Sequence, residues 1–302
     1  MKFTKSILII ALVIMLMASG CTNTNNDTQS PGEGSRVFID TLERDINIPE
    51  IPERVISLSP ALTEILFALE LDEKIVGTTN YCDYPEEALH TPKVGDFSSP
   101  NLELIVDSEP DLIFVAAGIQ MELIDRFEEL GLKVICLDAH TIDDVIHNIN
   151  FIGEIMGTEE KAMEITEDIA KRVEDVKNKV SGLEKPVVFF EVWDEPLTSA
   201  GPGTFINNLV ELAGGKNMTG DATTYYPQID FEIVVDQDPD IYMAVNHQRE
   251  VEIVDRPGYE DLKAVKTGKV FTIEDDWVTL PGPRIILGLE EMAFLLHPEA
   301  FQ

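Results

Sequence analysis

The side chains that could carry catalysis or bind a metal are few and scattered. The five histidines, at positions 90, 140, 147, 247 and 297, have no H-x-x-x-H spacing, and the three cysteines, at 21, 82 and 136, form no C-x-x-C pair. A zinc site needs three or four such ligands close together, which this spacing does not supply. The chain also lacks the G-x-S-x-G and H-E-x-x-H motifs, a complete P-loop and a dinucleotide fingerprint. We therefore predict a protein that is not an enzyme and carries no metal or other cofactor.

Cys21 differs from the other cysteines because its surroundings indicate a covalent modification. Two lysines precede an uninterrupted apolar run from Ile7 to Ala18, and this run ends just before Ser19-Gly20-Cys21. As a helix the run rises only about 18 Å, too little for the ~30 Å hydrocarbon core of a bilayer. The segment resembles a lipoprotein signal, in which the cysteine is acylated and becomes the first residue. A plain signal peptide with an incidental cysteine is the alternative.

The N-terminal segments predicted from this pattern are a signal peptide at 1–20 and a lipid-anchored flexible tether at 21–35. No apolar residue follows Cys21 before position 36, and Thr, Asn, Ser, Gly and Pro dominate. We expect the protein on the extracytoplasmic face of the cell membrane, held there by the lipid on Cys21 alone.

Charge excludes one class of partner. The chain has 22 Lys and Arg against 56 Asp and Glu, a formal charge of −34. A phosphate backbone would be repelled by most of this surface, so we predict no nucleic-acid partner. An anionic membrane surface would be repelled in the same way.

Two acidic residues, Glu103 and Glu232, occupy equivalent places in an internal repeat. Residues 101–115 (NLELIVDSEPDLIFV) align with residues 230–244 (DFEIVVDQDPDIYMA) at an offset of 129 positions. A helix, a proline break and a strand recur in the same order. Chance similarity between two helix-to-strand units is the alternative. A second echo, GLKVICL from 131 and GKVFTI from 268, favours two lobes of one design.

The elements that must position these residues alternate between strands and helices. Short apolar runs at 54–58, 74–77, 111–115 and 133–137 predict strands. Ser59 followed by Pro60 marks the start of a helix over 61–69. This alternation predicts an α/β fold with parallel sheets, in an N-terminal lobe at 36–140 and a C-terminal lobe at 183–302.

One long amphipathic helix is predicted between the lobes. Thr158 is its expected N-cap, Gly182 marks its end, and apolar residues recur at three- and four-residue steps between them. Its length of about 24 residues corresponds to roughly 36 Å. Residues 141–182 are thus predicted to be linker helices, which restrict opening of the lobes to small angles.

These segments together resemble one known family. The run RVISLSPALTEILFAL at 54–69, the opening DTLERDINIP at 40–49, YCDYP at 81–85 and NLE at 101–103 are similar to the substrate-binding proteins of ABC importers for vitamin B12, iron-siderophores and haem. The resemblance covers nearly all of residues 36–302. It implies two Rossmann-like lobes joined by one backbone helix, with the ligand cleft between them. It also implies a monomer that works with a permease dimer and its ATPase subunits.

Within that family, the site segments look most like those of the cobalamin-binding members. The residues that the resemblance assigns to the ligand are Tyr81 and Phe97 from lobe one and Tyr226, Asp276, Trp277 and Arg284 from lobe two. Trp193 is also expected at the mouth of the cleft, because it follows the apolar strand predicted at 187–192. A corrin ring is a broad apolar disc fringed by neutral amides, which suits flat aromatic surfaces. Each aromatic could instead belong to an ordinary core. The expected function is capture of cobalamin or a related corrinoid and its delivery to the permease.

Other roles on the same fold stay open at this point. Glu103 and Glu232 match docking glutamates of the cobalamin-binding relatives, or they are helix-capping acids. Anionic iron-siderophores usually need several arginines, whereas only Arg284 of the eight lies in a matched site segment. Haem is a further alternative, because Tyr81 and Tyr226 could ligate iron. A metal-ion receptor or a chelatase-like enzyme is less favoured.

Overall fold

The first lobe is built on a four-stranded parallel sheet. The computed structural model describes residues 36–245 and 250–302. The strands of this lobe are β1 (Val37–Ile39), β2 (Asp45–Asn47), β3 (Val55–Ser57), β4 (Ile75–Thr78), β5 (Leu112–Ala116) and β6 (Val134–Leu137). β1 and β2 form an antiparallel hairpin, and the sheet runs in the order β4-β3-β5-β6. The four predicted strands are therefore confirmed.

Three short helices cover this sheet, and the first begins where the sequence predicts. They are α1 (Pro60–Ala68), α2 (Leu102–Asp107) and α3 (Ile124–Glu129). Ser59 has extended backbone angles, and Pro60 occupies the first helical turn, where its missing N–H costs no hydrogen bond. α1 buries six consecutive residues, from Ala61 to Leu66, because it packs between the sheet and the linker helices.

Two helices, α4 (Ile142–Met156) and α5 (Glu159–Val180), occupy the predicted linker. α5 has 22 residues, about 33 Å by its rise per residue. Its buried face consists of Ala162, Thr166, Ile169, Val173 and Val176. Thr158 is the N-cap residue of α5 as predicted, but its buried hydroxyl has no hydrogen-bond partner and makes no side-chain cap.

The second lobe repeats the design with a mixed sheet. Its elements are β7 (Val187–Asp194), β8 (Leu197–Ser199), α6 (Phe205–Leu212), β9 (Lys216–Asn217), α7 (Phe231–Gln237), β10 (Ile241–Val245), α8 (Glu250–Val254), α9 (Lys263–Lys266), β11 (Val270–Ile273), α10 (Asp276–Thr279) and α11 (Ile285–Leu296). The sheet runs β11-β10-β7-β8, with β9 also beside β7. β8 is antiparallel to β7, so this sheet is not wholly parallel as predicted.

The internal repeat is confirmed in backbone detail. α2 leads into β5 as α7 leads into β10, and the turns between them place Glu109 at φ 45° and Asp238 at φ 43°. Asp111 accepts a hydrogen bond at 2.9 Å from the amide of Arg54, just before β3. Asp240 accepts one at 2.8 Å from the first amide of β7. In each lobe the aspartate at the equivalent position therefore links the repeat unit, through a hydrogen bond, to the first strand of the sheet.

One continuous apolar core joins the two sheets. It includes Val55 and Phe114 from the first sheet, Val188 and Met243 from the second, and residues of α1, α4, α5 and α11 between them. The predicted boundaries of the lobes at 140 and 183 stay predictions, because residues 36–302 pack as a single unit.

The membrane-related predictions fall outside what the structure describes. Cys21, the signal peptide and the tether all precede residue 36. Among the helices of residues 36–245 and 250–302, none has the length and apolar character needed to cross a bilayer.

Candidate functional site

A cavity of about 430 Å³ lies between the lobes and has walls from both of them. The lining consists of Pro60, Tyr81, Asp96, Phe97, Ser98 and Leu280. Leu280 belongs to lobe two and the others to lobe one. The volume of the cavity falls in the range of small-molecule sites, which are usually apolar with a few polar groups. The two predicted lobe-one aromatics are thus brought together at one cleft.

Tyr81 projects from the loop after β4 and is 57% exposed. The neighbouring Cys82 is buried and anchors this loop: its Sγ lies 3.2 Å from the hydroxyls of Thr63 and Thr79. Lys93 Nζ donates to the Cys82 carbonyl at 2.7 Å. The Tyr81 ring is therefore exposed to solvent, while the hydrogen bonds of the adjacent Cys82 hold the loop in place.

Phe97 is half-buried and is held by Gln120, a residue that the sequence did not single out. The buried Gln120 donates from Nε2 to the carbonyls of Leu58 at 2.6 Å and Phe97 at 2.9 Å. Its Oε1 accepts from the amide of Ala116 at 2.9 Å. Gln120 thus ties the Phe97 loop to the carboxyl ends of β3 and β5. A lone glutamine between Ile119 and Met121 matches no motif that would signal this role.

Trp277 stands on α10, one turn before Leu280, and is partly buried. Gly288 on α11 allows this position, since a Cβ there would lie 2.2 Å from the Trp277 carbonyl oxygen. The tight packing of α10 on α11 fixes the backbone beside the cavity. Trp277 is not in the cavity lining, although its neighbour Leu280 is.

Tyr226 and Trp193 lie on lobe-two segments outside that cavity lining. Tyr226 is 56% exposed and Trp193 is 53% exposed. The Tyr226 segment is fixed by the amide of Gly201, which donates to the Tyr225 carbonyl at 2.7 Å. Trp193 is the penultimate residue of β7 and donates from Nε1 to the Glu195 carbonyl at 3.0 Å. Partial burial raises the pKa of Tyr226 above the ordinary value.

Arg284 lies between the lobes and is already engaged by two carboxylates. Its Nη2 donates to Glu64 at 2.6 Å and to Asp276 at 3.1 Å, and its Nε donates to Glu64 at 3.0 Å. Burial raises the pKa of Glu64 above its ordinary value although Arg284 lowers it. Glu64 and Tyr84, which stacks on the guanidinium, were not predicted as site residues.

Comparison with known proteins shows to which family this chain belongs. The model of the periplasmic binding protein family matches residues 55–277. The chain belongs to that family. This binding protein is similar to the uncharacterized ABC transporter substrate-binding lipoprotein YvrC of Bacillus subtilis. The two are 30% identical over 304 residues, and the alignment covers 96% of each chain.

Two solved structures share the fold of the binding protein. The periplasmic vitamin B12-binding protein BtuF of Vibrio cholerae superposes with a TM-score of 0.75 at 26% identity, covering 83% of this chain and 99% of that one. A possible iron-binding protein of Staphylococcus epidermidis gives 0.74 at 28% identity, covering 82% and 100%. The chain is therefore an ABC transporter substrate-binding protein of the vitamin B12, siderophore and haem group, and it is not an enzyme.

A histidine and a tyrosine that the sequence did not assign also meet at the binding protein's lobe interface. His140 follows β6 in lobe one, and its ring stacks on Tyr225 of lobe two with centroids 6.0 Å apart. Asp138 orients the imidazole through Nε2 at 3.0 Å. Residues 138–140 and 225 are far apart in sequence, so only the fold brings them together.

Glu103 and Glu232 occupy the second residue of α2 and of α7, and both are exposed. The α2 N-terminus is capped by Asn101, whose Oδ1 accepts from the amides of Glu103 and Leu104. Glu103 is therefore not needed as a cap. A cavity of about 370 Å³ opens beside it, lined by α2 and α3 residues that include Val106, Arg126 and Leu130.

The two interlobe cavities are lined by apolar and charged side chains. Among the described residues, no group of three or more His, Cys, Asp or Glu side chains is placed to hold a metal ion. A second interlobe cavity, of about 360 Å³, is lined by two cations, Arg172 and Arg284. Arg172 is paired with Glu290 at 2.6 Å, and Arg284 with Glu64.

Proposed function

We propose that this binding protein captures cobalamin or a related corrinoid between its lobes and delivers it to a permease dimer with its ATPase subunits. The observation that carries the proposal is the interlobe cavity, where Tyr81 and Phe97 face Leu280 across the cleft. Flat aromatic rings beside an aliphatic wall suit a broad, mostly apolar disc. In this proposal the corrinoid is cargo, and the protein has no resident cofactor.

The charge of the cleft favours a neutral ligand over an anionic one. Catecholate siderophores and the propionates of haem would both need positive partners. The two cations that line the second interlobe cavity already satisfy carboxylates, and Asp96 lines the first. An anion entering there would have to displace Glu64 from Arg284.

Haem is the second candidate, because haem-binding proteins share this fold and tyrosine can ligate ferric iron. The ligand form of tyrosine is the phenolate. Of the two candidate tyrosines only Tyr81 lines the interlobe cavity, so the structure does not bring a pair of tyrosine ligands together there. We therefore rank haem below cobalamin.

A spectroscopic co-elution experiment tests the ligand. Purified protein is mixed with cyanocobalamin, desalted, and its visible spectrum recorded, with haem and a ferric catecholate in parallel. We expect the corrin bands to co-elute with the protein in a one-to-one ratio. Co-elution of haem or of the siderophore without cobalamin would give the function to that ligand.

We propose that Glu103 and Glu232 dock the protein onto its permease. Their equivalent positions on two lobes of one design suit two identical permease subunits that each offer a cation. Charge reversal at both positions should abolish uptake while the co-elution of cobalamin is unchanged. Uptake at the wild-type rate by the double variant would refute this docking role.

We also propose that Cys21 carries the lipid anchor. The relative from Bacillus subtilis, named as a lipoprotein, supports this assignment for the present chain. Cys21→Ser should move the protein from the membrane fraction to the soluble fraction. A Cys21→Ser variant that stays with the membrane after a high-salt wash would contradict it.

A further inference from the structure

One ion pair crosses from lobe one to lobe two beside the cleft. The Arg284 guanidinium donates two parallel hydrogen bonds to the Glu64 carboxylate, at 3.0 Å from Nε and 2.6 Å from Nη2. The partners are 220 positions apart, Glu64 on α1 and Arg284 directly before α11. Glu64 is only 4% exposed. Separating the lobes would leave these charges without each other in a poorly solvated place, which is costly.

Further contacts hold the guanidinium in this position. Its Cζ lies 3.8 Å from the ring centroid of Tyr84, a lobe-one residue, so one face of the guanidinium is covered. Asp276, of lobe two, accepts from Nη2 at 3.1 Å. Arg284 is thus bound by three groups, two of which belong to the opposite lobe.

Gly282 allows the two lobes to come this close. A Cβ at Gly282 would lie 3.1 Å from Glu64 Oε2 and 3.5 Å from the carbonyl oxygen of Ala61. The φ of Gly282 is not in the left-handed region, so the glycine is needed for space and not for backbone conformation. A Cβ at this position would therefore press on the end of the Glu64 side chain and displace it by a few tenths of an ångström.

We infer that Glu64 and Arg284 form a strut that holds the cleft at one width before a ligand arrives. Arg284 is then a positioning residue that acts through the lobe spacing rather than by touching the ligand. Tyr84 and Asp276 keep the guanidinium in the geometry that Glu64 requires, and Gly282 sets the closest approach of the lobes.

The strut has a direct consequence for affinity, and this part rests on the proposed function. A ligand that needs one cleft width binds with an apparent affinity reduced by the fraction of molecules that have this width. If loss of the strut leaves about one molecule in ten in that state, binding weakens about tenfold. Contacts between ligand and aromatic rings are unchanged in such a variant.

Spin-label distance measurements on the ligand-free protein test the strut without reference to any ligand. Labels are attached to Glu122→Cys and Asp221→Cys, two exposed positions on different lobes, in the Cys21→Ser protein. Cys82 and Cys136 are buried. We expect one narrow distance distribution for the parent and a broader or longer one for Glu64→Gln and for Gly282→Ala.

A matched control is the pair of Arg172 and Glu290, which has the same bidentate form at 2.8 and 2.6 Å but joins α5 to α11. Glu290→Gln should leave the distance distribution unchanged. The double variant Glu64→Leu with Arg284→Met removes both charges, so the cost of an unpaired ion disappears while the distribution stays broad. This variant separates a positioning role from a merely stabilising one.

The outcomes decide the inference independently of the ligand. Distributions identical to the parent in both Glu64→Gln and Gly282→Ala would overturn the strut, whatever the protein binds. Broad distributions together with a cobalamin affinity lowered about tenfold would support both the strut and its effect on binding. Broad distributions with no cobalamin binding by the parent would support the strut and refute the proposed ligand.

Discussion

At the scale of single residues, the candidate site is made of exposed rings on firmly held loops. Tyr81 follows β4 and is fixed through the buried Cys82, and Phe97 is fixed through its carbonyl by Gln120. Because the supporting groups are buried and hydrogen-bonded, removal of a ring should change the ligand contact without changing the loop. Ring substitutions are therefore clean tests of the site.

Phe97→Ala should weaken cobalamin binding about 5- to 150-fold, because burial of an aromatic ring against an apolar disc contributes roughly 1 to 3 kcal/mol. Phe294→Ala is the control. Phe294 is also partly exposed, but it packs on Phe301 near the C-terminus. Titration calorimetry of both variants checks the prediction, and equal affinities for the two would remove Phe97 from the site.

Cys136 should be inert in the folded protein. Burial raises the pKa of its thiol to about 11, so at pH 8 only about one thiol in a thousand is a thiolate. A colorimetric thiol reagent at pH 8 should react with Cys136 only after denaturant is added. Fast reaction of the native Cys82→Ser, Cys21→Ser protein would show that Cys136 is accessible.

The residue-scale contacts that the sequence missed are those between distant positions. Tyr81 and Phe97 could be predicted because they belong to short segments of recognisable type. Glu64 and Arg284 are 220 positions apart, and neither has a local pattern that names its partner. The sequence therefore predicts Arg284 as a ligand contact, while the structure shows its side chain engaged by carboxylates.

At the scale of elements, the internal repeat has a matching hydrogen-bond anchor in each lobe. Asp240 accepts from the first amide of β7 and pairs with Lys263. The hydrogen bond from Lys263 holds the pKa of Asp240 below its ordinary value, although partial burial opposes this. The folded protein thus binds a proton at Asp240 less readily than the unfolded chain does.

Asp240→Asn should therefore destabilise the protein at neutral pH by no more than about 1 kcal/mol, since Lys263 is largely exposed. With a folded-state pKa below the unfolded one, the carboxylate's contribution is complete above about pH 4 and is lost as pH falls through the lowered pKa. Urea unfolding at pH 7 and at pH 3 checks this. Asp236→Asn, an exposed neighbour on α7, is the control, and a difference that grows on acidification would contradict the assignment.

The two linker helices offer a contrast in N-capping. Thr141 and Asp144 form a reciprocal capping box at α4, whereas the Thr158 hydroxyl at α5 is buried without a partner. Thr158→Val should stabilise the protein by about 1 kcal/mol, because valine keeps the shape and removes an unsatisfied hydroxyl. Thr141→Val should destabilise it by a similar amount. Thermal unfolding of both variants checks these signs, and destabilisation by Thr158→Val would mean that its hydroxyl does cap α5.

Elements were predictable where their signals are local. The spacing of apolar residues, and the glycine, proline and N-cap residues at the ends of the elements, located β3 to β6, the start of α1 and the length of α5 within a few residues. Thr158 could be predicted as the N-cap of α5, but the missing capping hydrogen bond could not, because residue type at this position does not fix where the hydroxyl points. The antiparallel β8 was missed because it has only three residues, Leu197–Ser199, too few to show the alternation of a strand.

At the scale of the whole molecule, two lobes share one core and are fixed to each other by α5 and by the contacts between α1 and the segment before α11. Such a scaffold loses little conformational freedom when a ligand enters, so more of the contact energy appears as affinity. The same scaffold serves several ligands in its family, which is why the fold alone does not choose among them. The choice rests on aromatic faces and on the absence of an unpaired cation among the residues that line the two interlobe cavities.

The most direct test of the account is a calorimetric titration of the Cys21→Ser protein with cobalamin, haem and a ferric catecholate siderophore under one set of conditions. We expect saturable one-to-one binding of cobalamin and no saturable heat with the two anionic ligands. Saturable binding of haem or of the siderophore, with no heat from cobalamin, would contradict the account.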